Sequence, residues 1–122
     1  MSQANSLSRR LTLTAAGLIG AVGIVSAAAA SHAGESRNLS AIALICLAHG
    51  PALLALGLGS QRGRGWSLAA ALLAVGTLIF AGDLGFREWQ GQGVFPGAAP
   101  IGGTAMIGGW IAVVLAAWIH GK

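Results

Sequence analysis

The chain has 122 residues, of which 55% are hydrophobic and only 8% charged. Soluble domains carry roughly 25% charged residues because their surfaces face water, so this chain cannot clothe a globular surface with polar groups. A mean hydropathy of +0.75 points to lipid as its solvent, and the length has room for one membrane domain, residues 1–122. A net charge of +4 raises nucleic-acid binding. Against it, the seven Lys and Arg residues sit at the ends of apolar runs instead of forming a stripe, and neither zinc-finger spacing nor an RNA-binding aromatic motif occurs.

A helix that spans a bilayer needs about 20 mostly apolar residues. The first such stretch is Leu11–Ser31, which carries no charge. Ser8-Arg9-Arg10 before it and Ser31-His32-Ala33 at its end are similar to a secretory signal. The run is longer than the usual signal core of about 7–15 residues, so a retained first helix is expected. Leu39–Gly59 follows, with His49 as its one titratable side chain of ordinary charge and Cys46, the only cysteine, inside it. A lone cysteine cannot form an intrachain disulfide, so redox compartment is not readable. Pro51 interrupts this stretch after Gly50; it has no N–H for the Leu47 carbonyl, and a kink is expected. The third stretch, Trp66–Phe86, contains only Asp83, and the fourth, Ile101–Ile119, is uncharged. The joining segments are His32–Asn38, Ser60–Gly65 and Arg87–Pro100. Short connections between four spans predict an all-α, up-down-up-down transmembrane bundle.

Orientation follows from Lys and Arg near the span ends. Arg9, Arg10, Arg62, Arg64 and Lys122 fall on one side, and Arg37 and Arg87 on the other with all three acids, Glu35, Asp83 and Glu88. Both termini are therefore expected in the cytoplasm. Trp66 and Trp118 should mark the cytoplasmic interface and Trp89 the outer one, with Arg9, Arg10, Arg62 and Arg64 as further anchors. That leaves Trp110 as the only deep indole.

Apolar burial does not drive helices together in lipid, so close packing of small residues must. Helical spacing puts small residues on one face of each span: Ala16, Gly20, Gly23, Ala27 and Ala30; Ala48, Ala52, Ala55 and Gly59; Ala70, Ala74, Thr77, Ala81 and Gly85; Thr104, Gly108, Ala112 and Ala116. A compact bundle is the expectation, with Gly20, Gly23, Ala52, Ala74, Gly108 and Ala112 at the contacts.

Several blocks resemble a family of small four-helix inner-membrane proteins of unknown function, widespread in bacteria and with relatives in animal mitochondria. Ala30-Ser31-His32 is similar to its Gly-Ala-His motif, and His49 with Leu53-Leu54-Ala55-Leu56 to its His-x-Leu-Ala-Leu pattern. Gly76-Thr77-Leu78-Ile79-Phe80-Ala81-Gly82 and Pro100-Ile101-Gly102-Gly103 leading to Gly109-Trp110 match its second half. Ala27 and Ala30 stand where the family has glycine, Asp83 occupies a serine-like position, and the aromatic residues expected before His49 are missing, which marks a divergent member. The resemblance implies the fold and a bacterial inner membrane, and offers no activity.

Candidate chemistry is sparse. His49 is the deepest polar side chain, read either as a functional intramembrane group or as an imidazole bonded to a carbonyl loosened by Gly50-Pro51. A bis-His haem on His32 and His49 is disfavoured because the two differ in depth by about 15 Å, and no cofactor beyond bound lipid is expected. Asp83 and Arg87 share a helix face at spacing i, i+4 and are expected to pair, with Arg37 or His32 as competitors. No nucleophile–base–orienter set or metal spacing can be assembled, so an enzyme is not expected. The expected role is an accessory or assembly subunit packed against a larger respiratory or photosynthetic membrane complex. The alternative is a small oligomeric transporter or channel using His49, Pro51 and Asp83. A haem-binding helper, with His49 paired to another chain, is a third reading.

Overall fold

The computed structural model describes residues 3–32 and 36–120, so Ala33, Glu35 and Lys122, named above, lie outside the described residues. Four helices make up the fold of the described residues: α1 (Gln3–His32), α2 (Arg37–Leu58), α3 (Arg64–Gln90) and α4 (Ala98–Ile119). All four are long and apolar enough to cross a membrane, and no strand occurs among the described residues. The protein is a multi-pass membrane protein built on four helices.

The helices run further than the apolar stretches alone. α1 begins eight residues before Leu11, because polar residues that leave the hydrocarbon can still continue a helix. The largest difference is at the expected Arg87–Pro100 loop. There α3 continues to Gln90 and stops at Gly91, whose φ of +80° gives a left-handed cap that donates to the Arg87 carbonyl. α4 opens after Gly97 with Pro100 in its first turn, where the missing N–H costs no hydrogen bond. The loop shrinks to residues 91–97. α2 runs unbroken through Pro51. Its N-terminus is capped by Ser36, whose Oγ accepts from the Leu39 N–H at 3.2 Å.

Packing is strongest within the two antiparallel hairpins, α1 with α2 and α3 with α4. The hairpins meet through α2 and α3, and α1 also touches α3. α4 lies along the outer flank of α3, and its backbone closely approaches neither α1 nor α2. The four helices therefore form an open cluster, a triangle of α1, α2 and α3 with α4 added, where a closed bundle would join α1 to α4. Ala16, Ile19, Ile42, Cys46, Leu53 and Leu73 form its shared core.

Glycines set both hairpin seams. A Cβ on Gly50 would stand 3.1 Å from the Gly20 Cα and 3.3 Å from the Ala16 carbonyl oxygen. Further along the seam, Gly23 faces Leu47 and Cys46, and Gly57 admits Leu13. In the second hairpin a Cβ on Gly102 would lie 2.7 Å from both the Gly76 carbonyl oxygen and the Phe80 nitrogen, and one on Gly76 would lie 2.8 Å from the Gly102 oxygen. Gly109 accommodates Leu73 in the same way.

The expected stripes match this unevenly. On α1, Ala16 and Gly23 are buried and Gly20 half-buried; on α3, Ala70 and Thr77 are buried and Ala74 half-buried. On α4, Ala112 and Ala116 are buried, Gly108 is half-buried and Thr104 is exposed. The α2 stripe is displaced: Ala48, Ala55 and Gly59 are exposed, Ala52 is half-buried, and the packed face is Cys46, His49, Gly50, Leu53 and Gly57. That face mixes one imidazole and large side chains with its glycines, so counting small residues selects the wrong side.

Gly102 and its neighbour Gly103 give a direct test, since a Cβ on Gly103 meets nothing within 4 Å. Gly102→Leu should destabilise the protein by about 1–3 kcal/mol through overpacking against backbone, while Gly103→Leu stays within about 0.5 kcal/mol. Reversible unfolding in mixed detergent micelles measures both.

Candidate functional site

His49 is buried on α2 with 5% of its surface exposed. Its Nδ1 lies 2.8 Å from the Ile45 carbonyl oxygen, one turn back. The indole Nε1 of Trp110, on α4, donates to its Nε2 at 3.1 Å. A carbonyl can only accept and an indole N–H can only donate, so the two bonds select the neutral tautomer with hydrogen on Nδ1. The rings meet edge to face, with centroids 5.8 Å apart at 64°. Both imidazole nitrogens are thus engaged, and the bond carries α4 to α2 where their backbones do not approach.

The carbonyl that His49 uses is that of Ile45, not the Leu47 oxygen left without a donor by Pro51. Its second partner is absent from the sequence reading, although a signal existed. His49 and Trp110 each lie twelve residues past the first residue of their helix, and α2 and α4 start at the same end of the protein. At 1.5 Å per residue both sit about 18 Å along their helices, at one depth.

A second polar unit closes the end of the protein where α2 and α4 begin. Asp83 is 1% exposed; its Oδ2 accepts from Arg87 Nε at 3.0 Å, and its Oδ1 accepts from the Val94 N–H at 2.8 Å. The loop over residues 91–97 folds onto this pair. Gly93 permits the approach, since a Cβ there would stand 2.5 Å from Asp83 Oδ1. Of the competitors considered, Arg37 and His32 are exposed and Arg87 forms the pair. At the same end the Ser36 hydroxyl donates to Glu88, tying the start of α2 to the end of α3.

His49, Pro51 and Asp83 do not converge. His49 faces Trp110, Pro51 is exposed, and Asp83 is bonded within its own helix and loop. Cys46 is buried and free. No group of three His, Cys, Asp or Glu placed to hold a metal occurs among the described residues. Of the interfacial residues, Trp118 and Trp89 are 86% and 82% exposed at opposite ends, whereas Trp66 is half-buried. Arg10, Arg62 and Arg64 are exposed, and Arg9 Nε donates to the Gly57 carbonyl at 3.0 Å, capping the end of α2. Chemically, the arrangement fixes helices.

Trp110→Phe and His49→Leu should be non-additive, with a coupling of about 0.6–1.7 kcal/mol, the span for interhelical hydrogen bonds in membranes; a double-mutant cycle on detergent unfolding reads it. At the other unit, Arg87→Leu should destabilise more than Asp83→Asn. The first leaves a buried carboxylate without its counter-charge, and the second keeps an oxygen to accept from Val94. Equal losses in melting temperature would contradict that ordering.

No curated protein and no solved structure matches the chain. A family model described as "Protein of unknown function (DUF423)" matches residues 19–103. That stretch takes in His49, the Gly76–Gly102 seam and the Asp83 unit. It runs from the core residue Ile19 into the first turns of α4, and the chain belongs to this family.

Proposed function

We propose that the protein is a non-enzymatic accessory or assembly subunit of a bacterial inner membrane, with both termini cytoplasmic, packing against a larger respiratory or photosynthetic complex. The observation that carries the reading is the outward face of α2. Ala48 and Ala55 are exposed there beside half-buried Ala52, a stripe that allows another helix to approach and that no helix of this chain covers. The open cluster supports it too, since α1 and α4 each have one long flank without a protein neighbour. The engagement of both His49 nitrogens, Asp83 and Glu88 within the fold favours a structural role over catalysis. The cytoplasmic placement of the termini rests on Arg9, Arg10, Arg62 and Arg64 lying together at one end.

Purification in mild detergent should recover the protein in stoichiometric amount with a larger membrane complex. Ala48→Leu with Ala55→Leu should release it while leaving its own helicity and melting temperature unchanged. Recovery of the wild-type chain only as a monomer would refute the reading.

A further inference from the structure

Two separate cavities lie between α1 and α3, one lined largely by polar and cationic residues and one apolar. The first, about 480 Å³, opens at the end where α1 and α3 begin and takes its cationic side chains from three segments: Arg9 on α1, Arg62 in the α2–α3 loop and Arg64 at the start of α3. Its volume is within the range of about 300–1,000 Å³ usual for small-molecule sites. Ser60, Gln61 and Ser67 add hydrogen-bonding groups, and no Asp or Glu is among its lining residues. The one ion pair among the described residues, Arg87 with Asp83, is at the opposite end. Three arginines therefore line one cavity that has no Asp or Glu among its described lining residues. Arg9 spends only its Nε on the Gly57 carbonyl, so its terminal amino groups remain as donors. Trp66 forms part of the wall, and its Nε1 is a buried donor without a hydrogen-bond partner.

The second cavity, about 240 Å³, is apolar and lies deeper in the same cleft, between Leu18 and Val22 of α1 and Leu78, Ala81 and Gly82 of α3, with Cys46 of α2 at its back. Its registers match the first on both walls. On α1 the lining moves from Ser8, Arg9 and Thr12 to Leu18, Ile19 and Val22; on α3 it moves from Trp66, Ser67 and Ala70 to Thr77, Leu78 and Ala81. Each shift is ten or eleven residues, about 15 Å along a helix. Half the hydrocarbon thickness of a bilayer is also about 15 Å.

We infer that the α1–α3 cleft binds one anionic phospholipid, with its phosphate among Arg9, Arg62 and Arg64 and an acyl chain in the groove beside Gly82. The arginines supply charge-assisted bonds to phosphate oxygens. The groove supplies an apolar wall at the depth a chain reaches, which a free anion would not use. This reading is independent of the proposed accessory role, whose carrying observation is the Ala48–Ala52–Ala55 face of α2, absent from both cavity linings.

The test uses the whole chain in nanodiscs that mix phosphatidylglycerol with phosphatidylcholine, with native mass spectrometry to count lipids retained on release. One phosphatidylglycerol per chain is expected in preference to phosphatidylcholine. Arg62→Gln with Arg64→Gln should lower retention about thirtyfold. Arg10→Gln, which removes a charge at the same end but outside the cavity lining, should change it far less. Gly82→Leu should also displace the lipid without disturbing the fold, because a Cβ there meets nothing within 4 Å; Gly103→Leu, equally open but outside the groove, should not. Equal losses from the Arg10 and Arg62/Arg64 variants would reduce the site to general surface attraction and overturn the inference. Undiminished retention by Gly82→Leu would overturn it too, as would full displacement of the lipid by inorganic phosphate at millimolar concentration.

Discussion

The structure depends on two places where helix backbones touch. In a bilayer the apolar surface of a helix is no better off against another helix than against lipid, so what remains to hold helices together is close contact and hydrogen bonding. Gly50 against Gly20, and Gly102 against Gly76, supply the contact. Each brings carbonyl groups, Cα atoms and side chains of two helices near enough for dispersion forces to add up over the whole seam. The buried Leu53, Leu73 and Ile19 fill the spaces that these crossings define.

Hydrogen bonds then fix what close packing leaves free. A glycine seam can tolerate sliding and rotation, whereas the His49–Trp110 bond has one geometry and sets the second hairpin against the first. The two ends of the protein are finished differently. Where α2 and α4 begin, Asp83 is matched by Arg87, Glu88 accepts from Ser36, and the 91–97 loop is pulled down over Asp83. At the other end Arg9, Arg62 and Arg64 gather in one cavity lining with no Asp or Glu among the described residues there. The asymmetry separates a sealed end from a receptive one.

Much of the architecture was legible in the sequence. Apolar stretches of spanning length identify the four helices, because backbone polar groups in lipid must pair within a helix. The Asp83–Arg87 pair was legible for a local reason, spacing on one helix face. Relations between helices were harder. The α2 stripe was misplaced because Ala48, Ala52 and Ala55 are regularly spaced, while the face that packs includes His49 and Leu53 and draws its small residues from Gly50 and Gly57. The Val94 contact to Asp83 depends on a loop conformation that needs Gly91 and Gly97 at positive φ, and glycine alone does not announce which turn it will make. The His49–Trp110 partnership was hidden because neither residue lies near the other in sequence, and only matching depth along parallel helices connects them.

The order of contacts along the chain also bears on how the protein is made. Each glycine seam joins helices adjacent in sequence, and each can close as soon as its second helix has emerged, well before the rest of the chain exists. The Trp110 indole comes last, more than sixty positions after the imidazole it bonds. Synthesis would thus set the first hairpin in the bilayer before α4 exists, and α4 would then carry in the one side chain that bonds across to α2, beyond the contact α2 and α3 already make.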